Sequence, residues 1–258
     1  MILGTCFSAS LYCTMQETIS LKNLVNLGIG TINRRYFIGF HRKDTGGMLR
    51  SIFWANEGHA IFGVLYIIYN NVFYAMIFQD EWARFQSHRK GLRVSESPRG
   101  EQRTVYFFLM PYRYAFPIMG FSCIIHTLIS QTAFLVDIEA WGYVNEEGPN
   151  SHFVNRNSQY DFSTTGFSPL ADVALIFFSL VMILYLVAYS MKRYKSGMPV
   201  VSTCSAAISA ACHPSPNEEP NAWLRPIQWG ETEISAESGH CTFSSRDVNT
   251  PDERTPYI

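Results

Sequence analysis

Ser122, His126 and Ser130 recur at every fourth position, a spacing that places all three on one face of a helix, with Gln131 beside them. Asn70 and Asn71 put two amides into the middle of another apolar stretch. In an uncharged segment such groups make either a polar path for protons and small solutes or a seam of interhelical hydrogen bonds. One histidine with no carboxylate at mid-span favours the seam, at about 0.6–2 kcal/mol per bond.

Two further sets carry chemistry. Cys212-His213 and His240-Cys241 are adjacent pairs separated by 26 residues, with Cys204 nearby. Four such groups satisfy tetrahedral zinc, but adjacent ligands depart from the usual C-x2-C spacing, so a tail without metal is the favoured reading. Arg89, Lys90 and Arg93 lie in FQSHRKGLRVSESPRGEQRTV, where each cation near an anionic leaflet adds about 1 kcal/mol of attraction. Simple retention of positive charge on the cytoplasmic side explains them equally and is preferred over lipid or partner recognition. No G-x-S-x-G elbow, H-E-x-x-H pair, Walker loop or dinucleotide fingerprint occurs. Glu57 and His59 are two apart, so a helix does not put them on one face. No catalytic residue, cofactor or enzymatic activity is expected.

The elements that must position these groups follow from the distribution of apolar residues. The chain has 258 residues, 47% apolar and 16% charged, against about 25% charged in ordinary soluble domains. Its net charge of -1 gives no global field for nucleic acid, and its mean hydropathy of +0.01 averages unlike segments. Six cysteines are too few for a disulfide scaffold. Residues 60–78, AIFGVLYIIYNNVFYAMIF, are 16 of 19 apolar and uncharged, with Trp54 and Trp82 as bracketing interfacial anchors. Residues 114–136, YAFPIMGFSCIIHTLISQTAFLV, run 23 positions without a charge, and Pro117 near the start is tolerable there. Residues 173–191, VALIFFSLVMILYLVAYSM, are 17 of 19 apolar and end at Lys192, Arg193 and Lys195.

These patterns predict an all-α integral membrane protein with three transmembrane helices, 55–79, 114–136 and 170–191. They leave an apolar stub and basic segment over 1–54, a basic connection over 80–113, an acidic one over 137–169, and a polar, largely irregular tail over 192–258. The connection over 79–113 holds seven Lys and Arg, whereas 137–169 holds only Arg156 against five acids. That contrast places the first connection and the tail in the cytoplasm and the second connection outside. Segment 16–54 carries six basic residues and disagrees, so either upstream helices set the topology or the middle assignment is wrong; the seven-to-one contrast is preferred because it compares adjacent connections.

Several strings carry a family resemblance: EWARFQSHRKGLRVSESPRGEQRTVYFFLMPYRYAFPIM, HTLISQTAFLV, then MPVVSTCSAAISAACHP, IQWG and GHCTFSS in the tail. Over residues 50–258 they resemble a family of uncharacterised fungal multi-pass membrane proteins, grouped by a domain of unknown function nearer their N-terminus. The resemblance implies a fungal source and a polytopic fold, with further helices upstream that would make this chain the C-terminal portion of a longer architecture. It implies no substrate and no catalytic residue. The expected role is a non-enzymatic structural, receptor-like or scaffold component, with the bilayer as partner and protein partners through the tail. The plasma membrane is the favoured location. A transport or channel subunit using the polar face of the second helix is the alternative.

Overall fold

A computed structural model describes residues 25–26, 28–32, 36–42, 45–144, 153–156, 160–194, 198–200, 203–211, 213, 216–234 and 239–252. Three helices dominate it: α1 (Thr45–Ser87), α2 (Tyr112–Thr132) and α3 (Pro169–Ser190). Each contains an 18-residue window apolar enough to cross a membrane, with mean hydropathies of 1.7, 1.2 and 2.6. Only 11% of the α1 and α3 windows is buried inside the protein. Leu65, Ile67 and Leu184 stay 57%, 62% and 64% exposed, an apolar surface that water does not tolerate over such lengths.

α1 is longer than 55–79, because no proline interrupts Thr45–Ser87. Its 43 residues rise about 65 Å, roughly twice the thickness of a bilayer core. The last turns, from Gln79 on, therefore carry charge as a helix rather than as the loop expected over 80–113. α2 is shorter than expected. It stops at Thr132, and Ala133–Ile138 form strand β4 instead of completing a helix to Val136. Phe134, Leu135 and Val136 suit a strand as well as a helix, and a ladder partner decides between the two.

By chain contacts the protein divides into two compact units, Met1–Ile67 with Ile118–Leu184 and Ile68–Pro117 with Tyr185–Ile258. The first unit corrects the all-α expectation. β1 (Phe37–Arg42), β7 (Phe162–Phe167) and β4 make an antiparallel sheet in the order β1-β7-β4. Ala133 faces Phe167 and Ile138 faces Phe162, so β4 and β7 stay in register along their whole length. The stretch read as an acidic connection over 137–169 thus supplies β7 and the end of β4, and also a separate two-stranded sheet of β5 (Trp141–Val144) and β6 (Phe153–Arg156). Ser163, Thr164 and Thr165 of β7 are buried. Ser163 Oγ donates to Asp137 at 2.9 Å, and Asp161 accepts the Ala140 N–H at 2.9 Å. Hydrogen bonding of this kind is what makes burial of polar groups affordable.

The second unit corrects the irregular tail. Between the large helices it holds the two-residue parallel pair β2 (Arg93–Val94) and β3 (Arg103–Thr104). After them come α4 (Ser205–Ala211), a 3-10 turn at Ala222–Leu224, and the antiparallel hairpin β8 (Gln228–Ile234) with β9 (Gly239–Ser244). Phe73 is its centre, fully buried, with ring centroids of Tyr189, Tyr185 and Tyr114 at 5.0, 5.4 and 5.9 Å. Such aromatic pairs add about 0.5–1.5 kcal/mol beyond the area they bury.

Candidate functional site

In the second unit, the charged end of α1 comes first. Asp80 is 7% exposed and takes two cations, Arg84 at 2.6 Å one turn along the helix and Lys192 at 2.6 Å. Glu81 takes Arg93 at 2.7 Å and Arg103 at 3.5 Å. Arg93 also donates to the Tyr106 hydroxyl at 2.6 Å and to Thr104 O at 2.8 Å. The strand pair β2–β3 is therefore tied to α1 by charge-assisted bonds, about twice as strong as neutral ones.

The tail docks on the same region. Phe243 of β9 stands edge-on to Trp82 and Phe85 of α1, with centroids at 5.1 and 5.5 Å. Lys90 and Ile227 exchange backbone hydrogen bonds at 3.0 Å in both directions, and Glu101 N donates to Leu224 O at 2.9 Å. Gln228 Nε2 reaches Gln86 O at 2.9 Å, while Arg89 holds Ser245 O at 3.0 Å and Asp247 at 2.8 Å. Two glycines permit the approach. A Cβ at Gly91 would strike the Glu101 carbonyl, and Gly100 adopts φ +58° against Leu224 O.

Titration follows this geometry. Lys90 lies below the ordinary lysine range, first because it is partly buried and then because Arg84 and Arg103 stand near it. Burial is the largest influence on Glu218 and opposes its ionisation. Hydrogen bonds from Ser245, at 2.6 Å and 3.1 Å, together with Ser244, outweigh it and hold the carboxyl below the usual range. Tyr194, which donates to Met76 O at 3.2 Å, is raised by burial and then by Asp80.

The basic residues expected at a lipid surface thus divide. Arg89 and Arg93 are engaged with protein groups, and Lys90 uses its backbone to hold the tail. Trp82, expected as a membrane anchor, packs on Phe243.

In the first unit, Ser122 is buried, His126 and Gln131 are half-buried and Ser130 is exposed. Hydroxyls on this helix turn back on their own backbone: Thr127 to Cys123 O at 2.9 Å, Ser130 to Thr127 O at 2.7 Å, and Thr132 to Leu128 O at 2.8 Å. His126 stacks on His59 of α1 with centroids 5.7 Å apart and meets the edge of Phe62 at 4.9 Å. His59 was missed by spacing, since its partner lies on another helix; its Nδ1 is buried with no hydrogen-bond partner among the described residues. A mainly apolar cavity of about 250 Å³, lined by Ile61, Leu65, Ile129 and Leu175, has Glu57 and Asp172 at its wall. Asn70 and Asn71 fall in the second unit, so the structure does not bring them together with the α2 face within one unit.

Of the zinc candidates, Cys212 lies outside the described residues. His213 follows α4, with Nδ1 2.7 Å from Ser209 O. His240 and Cys241 are neighbours on β9, where successive side chains point to opposite faces. Burial and then Glu231 push the Cys241 thiol up to about 11, which keeps it protonated at neutral pH. Among the described residues no three His, Cys, Asp or Glu converge as a metal site.

Asp80 and Glu81 were also absent from the sequence-based candidates, although the four-residue spacing from Asp80 to Arg84 is readable in DEWAR. No curated protein and no solved structure shows a significant match to this chain. A family model does match, over residues 1–255, well beyond the 50–258 span of the motifs quoted above, and the chain accordingly belongs to the family described as a domain of unknown function, DUF8419.

Proposed function

We propose that this chain is a multi-pass membrane protein of a fungal membrane, and that it works as a non-enzymatic scaffold or receptor-like component. Its basic connection and tail fold together as one platform on the cytoplasmic side. The observation that carries the reading is the docking of the tail hairpin, through Phe243, on the last turns of α1 and the Arg89–Arg103 segment. A tail held by its own membrane helix presents a fixed surface to partners, whereas a free tail would have to order at each encounter. The exposed apolar flanks of α1 and α3 support the membrane assignment.

The transport alternative draws on the α2 polar face. Ser130 on that face bonds its own helix, and His126 stacks on His59 and meets the edge of Phe62, which favours the structural role. Alkaline carbonate extraction tests the membrane reading, with the chain expected to stay in the pellet. Release of the intact chain into the supernatant would refute it. In sealed vesicles, protease added to the cytoplasmic face is expected to spare the tail of the parent chain and to cleave that of Phe243→Ala.

A further inference from the structure

The two carboxylates at the end of α1 do not balance the cations around them. Asp80 and Glu81 line a small cleft of about 90 Å³ together with Arg84, Lys90, Arg93, Arg103 and Arg113. Arg84, Arg93 and Arg103 find carboxylate partners there. Among the described residues Lys90 and Arg113 have none. Lys90 offers only its backbone to Ile227, and Arg113 lies over the Tyr114 ring at 4.7 Å. Arg113 also stands in the first turn of α2, which contains no acid, where the helix dipole disfavours a cation and welcomes an anion. Tyr106 and Tyr114 also line the cleft.

We infer that this cleft binds a phosphate group, gripped by Lys90 and Arg113 and surrounded by the paired arginines. Arginine and lysine together suit that chemistry, the guanidinium fork for two oxygens and the ammonium as a compact point charge. Lys90 is held low first by burial and then by Arg84 and Arg103, and a bound anion would favour its charged form. A phosphate of this kind reaches the cleft either on a lipid headgroup or free in solution. The headgroup route rests on the membrane reading above, and basic clefts beside membrane helices are the usual seats of anionic headgroups.

The test uses the full chain in neutral detergent, with the thermal midpoint followed by tryptophan fluorescence. Inorganic phosphate, short-chain phosphatidic acid and short-chain phosphatidylcholine are titrated separately. A rise in midpoint with phosphatidic acid but with neither of the others supports the site and assigns a lipid headgroup. A rise with inorganic phosphate as well supports it and assigns the free anion. Lys90→Gln combined with Arg113→Gln is expected to weaken binding at least tenfold, while the unliganded midpoint holds, because neither side chain has an ion pair to lose among the described residues. No rise with either phosphate probe, or undiminished binding by the double variant, overturns the inference. So does a fall in the unliganded midpoint as large as that of Arg93→Gln, which would make the two cations structural. Because all of this is read in detergent, its failure leaves the carbonate result standing.

Discussion

The two units handle polar groups in opposite ways. In the first, polar side chains are satisfied one bond at a time: the exposed Thr127 and Ser130 and the half-buried Thr132 bond their own helix, and the buried Ser163 meets Asp137 across two paired strands. In the second, formal charges from α1, the basic connection and the first turn of α2 converge, with five cations and two carboxylates around one cleft. Neutral hydroxyls closed on their own backbone stabilise a segment but present nothing to a ligand. An unbalanced charge set keeps free valence. Candidate chemistry therefore belongs to the second unit, although the α2 face is the more conspicuous feature of the sequence.

That contrast can be broken or sharpened by experiment. The largest effect is expected at Phe73, where truncation to alanine removes a fully buried ring among four tyrosines. It should cost about 3–5 kcal/mol, read as a lowered thermal midpoint in detergent. Phe243→Ala should cost somewhat less, about 2–3 kcal/mol, and act locally, exposing the tail to protease while the helices remain protected. At Gly100, alanine meets both a positive φ and the Leu224 carbonyl, so about 1–2 kcal/mol of tail docking should be lost by the same protease assay.

Acid should reach the second unit through Glu218. Its carboxyl is lowered in the folded state, so its contribution is complete above the ordinary value of 4.5 and fades as pH falls through the folded value. Tail protection is thus expected to weaken below about pH 4.5, and Glu218→Gln should flatten that dependence. The smallest effect is expected in the first unit. Ser130→Ala removes an exposed bond within one helix and should change the midpoint by no more than about 0.5 kcal/mol. A loss several times larger would erase the contrast and return attention to the α2 face.

How much of this was legible depends on how far apart the interacting residues are. The apolar core of each helix could be read directly, because an uncharged run is a property of neighbouring residues. The end of α2 could not. Ala133–Val136 continue the apolar pattern, and only pairing with Phe167–Thr164 turns them into a strand. The α2 face itself is a spacing of four and was visible, whereas its meeting with His59 depends on another helix. The basic segment was visible as charge, but its partners were not: Gln86 finds Gln228 across 142 residues, and Arg89 finds Asp247 across 158. A tail without periodicity was expected to be irregular. Its hairpin includes Thr232, Thr242 and Phe243, and its order comes from docking on α1 rather than from a local signal.

The sequence by itself determined that three helices are long and apolar enough to cross a membrane, and that positive charge concentrates beside two of their ends. Both follow from composition over 20 or so residues, which folding does not alter. Tertiary structure alone decided where α2 gives way to a sheet, that connection and tail form one platform, and which two cations around Asp80 and Glu81 have no carboxylate partner among the described residues. Ladders, ring contacts and ion pairs depend on atoms brought within a few ångströms from distant parts of the chain, and no local pattern encodes that distance.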